Sequence, residues 1–151
     1  QKVELHQADG FDVVLVVLAH RRFAARLHVQ RAEVGQLAWG NQHTTGVHAD
    51  ADRVYGVESN GRVQAWKRAN GERAWSTDRL LHRGVTAPLA AGRSIMVGDA
   101  QGFVHLLSRE DGALLNRLST DGSAIVAGPF LAGNTLIAVT RKGGVYGWRP
   151  E

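Results

Sequence analysis

Apolar and polar residues alternate over short segments along most of this chain, and residues that favour turns separate the segments. Alternation of this kind predicts short β-strands, each buried on at least one face. One stretch predicts four consecutive strands, at roughly 86–90, 94–98, 103–108 and 113–118. The longest apolar run, residues 13–19, is far shorter than the roughly 18 residues of a membrane-spanning helix and is typical of a buried strand. The pattern predicts an all-β protein.

The strand pattern repeats along the chain. Equivalent residues recur 41 positions apart without a gap: Gly61, Gly102 and Gly143; Val63, Val104 and Val145; Gly71 and Gly112. A weaker copy lies upstream, where residues 26–39 match residues 62–75 at an offset of 36. A unit of about 40 residues with four strands is typical of a β-propeller blade. Leucine-rich and ankyrin repeats are shorter, tetratricopeptide repeats are helical, and the WD40 signature is absent.

Turn residues and strand faces support the same interpretation. Three dipeptides predict tight hairpin turns in which both positions tolerate positive φ: Asn60-Gly61, Asn70-Gly71 and Asp111-Gly112. In the strand that follows Gly61, Val63 and Ala65 share one face and Gln64 and Trp66 the other. Neither face is wholly polar, so the sheet is expected to be covered on both sides, as a propeller blade is.

The blades are predicted at approximately 1–40, 44–80, 85–119 and 125–149, together a partial β-propeller over residues 1–151. The first is degenerate, and the last is incomplete because the chain ends after its third strand. Residues 19–25 fit the pattern poorly, which leaves a short helix or a loop open there. The chain starts at Gln1 without a leader, so the true N-terminus is expected upstream and an exported origin stays open.

Charge and cysteine content exclude several functions. The formal net charge is +4 and the pI about 10.1, but basic residues are scattered among acidic ones. The tight basic clusters are Arg21-Arg22 and Arg141-Lys142. This distribution favours solvated turns over a nucleic-acid groove. The sequence has no cysteine, which excludes disulfides and thiolate metal sites.

Potential metal ligands are densest at His43, His48, Asp50 and Asp52. Both carboxylates directly precede a predicted strand, where aspartate commonly caps a turn, so we favour a turn over a metal site. His105 occupies the repeat position of Gln64 and Tyr146 and is therefore interpreted as structural.

Two further groups allow a functional and a structural interpretation. His82-Arg83, after Leu80-Leu81, could form a contact patch; the alternative, which we favour, is that the leucines fill a gap between blades and His82 bonds backbone. Four tryptophans could stack a planar cofactor or pack between blades: Trp39, Trp66, Trp75 and Trp148. Their repeat positions favour packing. No nucleophile elbow, phosphate loop or dinucleotide fingerprint occurs, so no catalytic, cofactor-binding or metal residue is assigned.

The repeat resembles that of pyrroloquinoline-quinone-type propellers. More specifically, four segments resemble the C-terminal part of the BamB family of outer-membrane protein assembly factors: 39–55, 76–83, 97–105 and 142–146. The similarity covers residues 36–151, whereas residues 1–35 fit the family much less well. The family's propeller has eight blades, so the resemblance implies half of an eight-bladed ring. The family's lipid-carrying cysteine and N-terminal blades are not in this chain.

The resemblance implies a non-catalytic scaffold subunit of the Bam complex on the periplasmic face of the outer membrane. Its loops and strand edges would bind proteins, namely BamA and nascent outer-membrane proteins. It implies no cofactor, no nucleic acid, and membrane contact only through a lipid anchor absent from this chain. The alternative is a fragment of a quinone-dependent dehydrogenase, which needs a Ca²⁺ site and a quinone funnel. A repeat sensor domain of a larger receptor is a third possibility.

Overall fold

The computed structural model describes residues 14–15, 24–29, 33–38 and 44–149. Strands are the regular elements of these ranges: β1 Val14–Leu15, β2 Ala24–Val29, β3 Glu33–Ala38, β4 Thr44–Ala49, β5 Arg53–Glu58, β6 Val63–Lys67, β7 Arg73–Thr77, β8 Leu89–Ala91, β9 Ser94–Gly98, β10 Phe103–Ser108, β11 Leu114–Ser119, β12 Ile125–Ala132, β13 Thr135–Thr140 and β14 Val145–Trp148. Within the described residues, no helix has the length and apolar character needed to cross a membrane.

The strands form four antiparallel sheets in which sequence neighbours pair. Their orders are β1-β2-β3, β4-β5-β6-β7, β8-β9-β10-β11 and β12-β13-β14, and we call them the first to the fourth sheet. Successive four-stranded meanders are how propeller blades are built, which confirms the predicted all-β partial propeller. The blade limits over the whole of residues 1–151 remain a prediction.

Apolar residues join consecutive sheets face to face. One buried cluster lies between the second and third sheets: Tyr55, Val57, Val63, Ala65, Trp75, Leu80, Val85, Ile95, Val97 and Leu107. Another lies between the third and fourth: Met96, Val104, Ile125, Leu136 and Ala138. Because side chains alternate along a strand, Ile95 and Val97 face the second sheet while Met96 faces the fourth. The third sheet is therefore covered on both faces, as the sequence predicted.

The strand limits in the structure agree closely with those predicted from the sequence, except for one strand that is shorter than predicted. The strands predicted at 94–98 and 103–108 are β9 and β10 without change, and β11 is displaced by one residue. The strand predicted at 86–90 is wrong in extent, because β8 covers only Leu89–Ala91. Pro88 has no N–H to donate to a ladder. Thr86 still bonds Gly98, through its N–H to the Gly98 carbonyl (2.9 Å) and its hydroxyl to the Gly98 N–H (3.0 Å).

The predicted hairpin turns are present with a different geometry. In the turn 58–62, in the predicted turns at Gly71 and Gly112, and in the equivalent turns 99–103 and 140–144, one glycine alone has positive φ: Gly61 at 100°, Gly71 at 73°, Gly112 at 73°, Gly102 at 82° and Gly143 at 87°. The Glu58 N–H donates to the Arg62 carbonyl (2.8 Å), and the Gly61 N–H donates to the Glu58 carbonyl (2.9 Å). This is a three-residue loop with a glycine bulge, not a two-residue turn with two positive φ values. Asn60 instead uses its side chain, which accepts the Arg62 N–H at 2.9 Å.

Two predictions fall partly outside the described residues. Of residues 19–25, the open helix or loop, only 24–25 are described, and they begin β2. Of the apolar run 13–19, residues 14–15 form β1 and pair with β2.

We predict that Gly102→Val destabilises the protein more than Gly143→Val, the same change at the equivalent position. Each places a branched side chain at positive φ, which costs about 1–2 kcal/mol. A Cβ on Gly102 would also lie 2.7 Å from the Ser123 carbonyl oxygen and the Thr120 hydroxyl, whereas one on Gly143 meets nothing within 4 Å. Urea unfolding of both variants measures the difference. Equal losses, or an unchanged midpoint for Gly102→Val, would contradict the turn assignment.

Candidate functional site

Two connectors between sheets meet the turns at one end of the sheets. Residues 78–88 link β7 to β8, and residues 120–124 link β11 to β12. They bond to the turns 58–62, 99–103 and 140–144 through backbone contacts such as Ala100 N–H to the Arg83 carbonyl (3.0 Å) and Arg141 N–H to the Ala124 carbonyl (2.8 Å). We call these connectors and turns the connector surface.

The first connector is anchored by Leu80. Its side chain is buried among the residues that join the second and third sheets. A Cβ on Gly61 would lie 2.1 Å from the Leu80 carbonyl oxygen, so only glycine allows turn 58–62 to approach the connector this closely. Leu80 therefore fills the gap between sheets, as expected, whereas Leu81 is only half-buried.

His82 has an unusual backbone. Its φ of 61° makes it the one non-glycine residue of the described part of the chain with positive φ. Its N–H donates to the Asn60 carbonyl at 2.7 Å, while its imidazole is exposed. This conformation costs about 1–2 kcal/mol and is a reason to look for function at a residue. The expected backbone bond is present, yet the exposed ring leaves the contact-patch alternative open.

Arg83 ties the first connector to turn 99–103. Its guanidinium donates to the Asp99 carboxylate from Nε (2.8 Å) and to the Gln101 side chain from Nη2 (2.8 Å). Asp99 is fully buried and also accepts the Phe103 N–H at 2.9 Å. Burial acts to raise the pKa of Asp99, but the hydrogen bonds from His105, Phe103 and Arg83 outweigh it and hold the pKa below its usual value.

His105 completes this buried polar group. Its Nε2 lies 2.8 Å from Oδ2 of Asp99, and because an ionised carboxylate only accepts, Nε2 carries the proton. Burial lowers the pKa of His105 and outweighs the opposing effect of Asp99. One repeat earlier, Gln64 and Glu58 form the equivalent buried pair, with Nε2 of Gln64 donating to Oε1 at 2.5 Å. The geometry supports a structural role for His105.

Asp50 caps a turn, as the sequence indicated. Its Oδ1 accepts the N–H groups of Asp52 and Arg53, both at 2.8 Å. Its Oδ2 accepts the Tyr55 hydroxyl (2.7 Å) and pairs with Nη2 of Arg109 (2.8 Å). His43, part of the same candidate set, lies outside the described residues. Among the residues that are described, no group of three or more His, Asp or Glu is placed to hold a metal ion.

Arg109 fastens the second sheet to the third, beside the loop between β10 and β11. Its Nε donates to the Tyr55 hydroxyl at 3.1 Å, and its carbonyl accepts the indole N–H of Trp75 at 2.8 Å. The Trp75 ring covers Gly112, where a Cβ would lie 2.6 Å from ring atom Cε3. We call Asp50, Tyr55, Trp75 and Arg109 the inter-sheet clasp. Its members were singled out from the sequence only in part, because nothing local links residues so distant in the chain.

The tryptophans lie on separate strands and pack between or within sheets. Trp66 in β6 is 1% exposed, and Trp75 in β7 is buried between the second and third sheets. Trp148 in β14 is half-buried, packs against the cluster between the third and fourth sheets, and stacks on Tyr146 with ring centroids 6.0 Å apart. Trp39 lies outside the described residues. Packing between sheets is therefore confirmed for Trp75 and Trp148, and Trp66 is buried.

The connector surface carries more basic than acidic side chains at the solvent. Arg62 pairs with Asp78 through a forked contact (2.6 and 3.1 Å) that stays exposed. Other exposed or half-exposed charged and titratable residues are Arg79, His82, Arg83, Asp121, Arg141 and Lys142. Loops with this mixture of charged and strained residues are suited to recognising another protein, since they are held rigidly by the sheets.

Comparison with known proteins gives the family. A family model described as outer membrane protein assembly factor BamB matches residues 8–77. The curated BamB of Burkholderia pseudomallei is 43% identical over 131 residues, which cover 85% of this chain and 34% of that protein. The chain belongs to the BamB family. The BamB of Yersinia pestis is 35% identical over 74% of this chain and 29% of its own length. The chain thus spans about a third of the curated BamB relatives that it matches.

Solved structures that resemble this chain support the same family and fold. The crystal structure of BamB from Moraxella catarrhalis superposes with a TM-score of 0.64 and 27% identity, over 89% of this chain and 42% of that one. The computationally designed Ika4 protein shares the fold alone, with a TM-score of 0.67 and 15% identity over 99% of both chains.

The expected extent of the resemblance is wrong at its N-terminal side. The BamB family model begins at residue 8, so most of residues 1–35 belong to the match. The described parts of this region, β1 to β3, form an antiparallel sheet like the others. The offset of 36 instead of 41 breaks the register after residue 39, which hides the first unit from a search for one fixed period. The half-ring of eight blades remains a prediction.

We predict that His105→Gln, which copies the equivalent Gln64, makes stability less dependent on pH. An unfolded histidine has a pKa near 6.5, and burial lowers the folded value. As the pH falls below about 6.5 the unfolded state therefore binds more protons, and the folded state loses stability. Urea unfolding between about pH 7 and pH 5 should show a smaller loss in the variant than in the original protein.

His48 leaves a residual slope in both proteins, because burial lowers its pKa despite Asp50. The depressed pKa of Asp99 contributes stability that is present above about pH 3.9 and is lost only below this window. If the free energy of unfolding depended on pH equally in the two proteins, the protonation of His105 would not be coupled to unfolding.

We predict that Trp66→Ala lowers the free energy of unfolding by about 3–5 kcal/mol, the usual loss for a large buried aromatic. Trp148→Ala is the matched control and should cost less, because Trp148 is half-exposed. Chemical denaturation measures both. A normally stable Trp66→Ala protein that had lost a bound quinone would overturn the packing interpretation.

Proposed function

We propose that this chain is part of a non-catalytic scaffold subunit of the machinery that assembles β-barrel proteins in the outer membrane. The observation that carries the proposal is the 43% identity, over 85% of the chain, to a protein named as an outer membrane protein assembly factor. We place its site of action at the periplasmic face of the outer membrane, with protein partners that include BamA and nascent outer-membrane proteins.

The hydrogen bonds and ion pairs made by the polar side chains support a scaffold function. The four described groups best suited to acid–base or ionic chemistry are bonded to one another across strands and sheets: Asp50, Asp99, His105 and Arg109. Asp99 and His105 are also buried. A reacting group has to reach its substrate, and these groups are instead engaged within the fold: Asp50 and Arg109 join the second and third sheets, and Asp99 and His105 join a turn and a strand of the third sheet.

We infer that the connector surface is the contact site for a protein partner. It combines rigid loops, exposed arginines and the strained, exposed His82. Arg79 is exposed on the first connector, and Arg93, at the turn between β8 and β9, is exposed beside the inter-sheet clasp, where its carbonyl accepts the Arg109 N–H (3.0 Å). These two arginines give a matched pair for testing the location.

The proposal predicts that the purified chain binds the periplasmic part of BamA and that Arg79→Ala and His82→Gly weaken binding. A contact residue that contributes strongly to binding is worth about 1 kcal/mol or more, which is roughly fivefold in Kd, and an arginine is among the residue types enriched in such positions. Arg93→Ala should leave Kd unchanged. Biolayer interferometry measures all four proteins, and thermal unfolding should show His82→Gly to be as stable as the original or more so, because glycine accepts positive φ.

Three outcomes would count against the proposal. Equal weakening by Arg93→Ala and Arg79→Ala would reject the connector surface but keep the scaffold function. No binding to BamA by the original chain would reject BamA as the partner. A new absorbance band on adding pyrroloquinoline quinone and Ca²⁺ would favour the dehydrogenase alternative.

A further inference from the structure

The carboxylate of Asp99 is shared between the third sheet and the first connector. Its Oδ2 accepts the Nε2 proton of His105 (2.8 Å) and lies 2.7 Å from Nη2 of Arg83. Its Oδ1 accepts the backbone N–H groups of Gln101 and Phe103, both at 2.9 Å. The connector, through Arg83, and strand β10, through His105, therefore meet at one oxygen atom.

A second proton on His105 would change the charge of this buried group. The negative charge of Asp99 is already balanced by Arg83, and burial lowers the pKa of His105, so the imidazole is neutral at neutral pH. The other ring nitrogen, Nδ1, is buried and has no hydrogen-bond partner in the part of the chain that the structure describes. Protonation would therefore add a positive charge without a counterion and a buried donor without an acceptor, and both are costly.

Two arginines make the surroundings of His105 positive. Arg117 lies opposite His105 in the β10–β11 ladder. The guanidinium groups of Arg117 and Arg83 both lie over the Phe103 ring, with Cζ 4.6 and 5.8 Å from its centroid. Both charges act to lower the pKa of His105, whereas Asp99 acts to raise it.

Arg83 is the member of this group that can leave at least cost. Its side chain is 24% exposed, whereas the carboxylate and the imidazole are buried. The residues that the second sheet packs against this face are apolar, apart from Tyr55 and Trp75, whose polar atoms bond Arg109 in the inter-sheet clasp. A displaced guanidinium would therefore move into water.

We propose that protonation of His105 displaces Arg83 from Asp99 and releases the first connector, so that the connector surface is ordered at neutral pH and released in mild acid. The imidazolium then keeps the carboxylate as its partner. Arg83 also holds the neighbouring turn, because its carbonyl accepts the Ala100 N–H (3.0 Å) and its Nη2 donates to the Gln101 side chain (2.8 Å). The consequence of release for partner binding rests on the function proposed above.

The direction of the effect follows from the charge on Arg83. A docked guanidinium disfavours the imidazolium, so the pKa of His105 is lower with the connector docked than with it released. As the pH falls below about 6.5, the usual value for histidine, the released form binds the extra proton more readily and gains population. The coupling is reciprocal, so each unit by which docking lowers this pKa makes release about 10-fold more favourable once the imidazole is protonated.

The next junction of the series provides an internal control. At the spacing of 41, Tyr146 stands in the place of His105 and Ala124 in the place of Arg83. The backbone bond between connector and turn is kept, from the Arg141 N–H to the Ala124 carbonyl (2.8 Å). Neither a tyrosine nor an alanine changes its charge in mild acid, so we expect release at the first connector and not at this one.

NMR spectroscopy of the whole chain tests the coupling. Titration of the imidazole resonances gives the pKa of His105, which should rise by about one unit in Arg83→Gln. Arg79→Gln is the matched control, because Arg79 is exposed on the same connector and the arginines that act on His105 are Arg83 and Arg117. An unchanged pKa of His105 in Arg83→Gln, or an equal rise in both variants, would overturn the proposal.

Amide hydrogen exchange in the original chain shows where release occurs. Between about pH 7 and pH 5 the protection of the Ala100 N–H should fall about 10-fold, whereas the Arg141 N–H should keep its protection. His105→Gln, which retains His48 and His82, should lose the acid effect at Ala100. Equal losses at Ala100 and Arg141, or an acid effect that persists in His105→Gln, would overturn the proposal.

Binding to the periplasmic part of BamA separates this pH response from the proposed function. Binding should weaken in acid more for the original chain than for His105→Gln. No binding at any pH would reject the proposed function, while the pKa and exchange measurements still decide whether the connector is released. Binding with the same pH dependence in both proteins would overturn the regulatory consequence of release.

Discussion

Burial of both faces of a thin sheet by its two neighbours is the constraint on which this structure depends. A sheet of four short strands has no interior of its own, so its apolar residues leave water only when another sheet lies against them. In β9 the alternation of Ile95, Met96 and Val97 sends side chains to both neighbours in turn. A substitution in one sheet therefore also changes the packing of the sheets beside it. The stability of the series depends on the interfaces between neighbouring sheets as well as on each sheet.

Polar contacts fix how the stacked sheets sit against each other. Dispersion and burial are non-directional, so apolar faces alone would allow sheets to slide. The inter-sheet clasp and the first connector restrain the second and third sheets at two places, through Arg109 at one and Leu80 with Arg83 at the other. The buried Asp99 carboxylate is tolerated because it is hydrogen-bonded several times. These hydrogen bonds and ion pairs therefore fix the position of one sheet relative to the next, which the apolar contacts alone do not.

Local patterns in the sequence predict the strands well and the contacts between sheets poorly. The limits of β9 and β10 follow from alternation bounded by glycines, and β8 is shorter because Pro88 interrupts its ladder. The predicted turn type is wrong because Asn60 accepts a hydrogen bond through its side chain and only Gly61 has positive φ. The inter-sheet clasp joins Asp50 to Arg109, and His82, at positive φ, donates its N–H to the Asn60 carbonyl. Neither the clasp nor the positive φ of His82 could be predicted from the residues next to it in the sequence, because both depend on contacts with distant parts of the chain.

Under the function proposed here, specificity for a partner lies at positions where the repeats differ. Residues that stack sheets are alike from unit to unit, as Val63 and Val104 are, because each meets the same kind of surface. The connectors are not alike: buried Leu80 is replaced one unit later by exposed Asp121, which bonds the Thr140 hydroxyl at 2.8 Å, and His82 by Ser123. Stacking does not require this difference, since both connectors join equivalent strands. A partner that recognises the connector surface can therefore distinguish one junction of the series from the next, although the sheets beneath them are nearly the same.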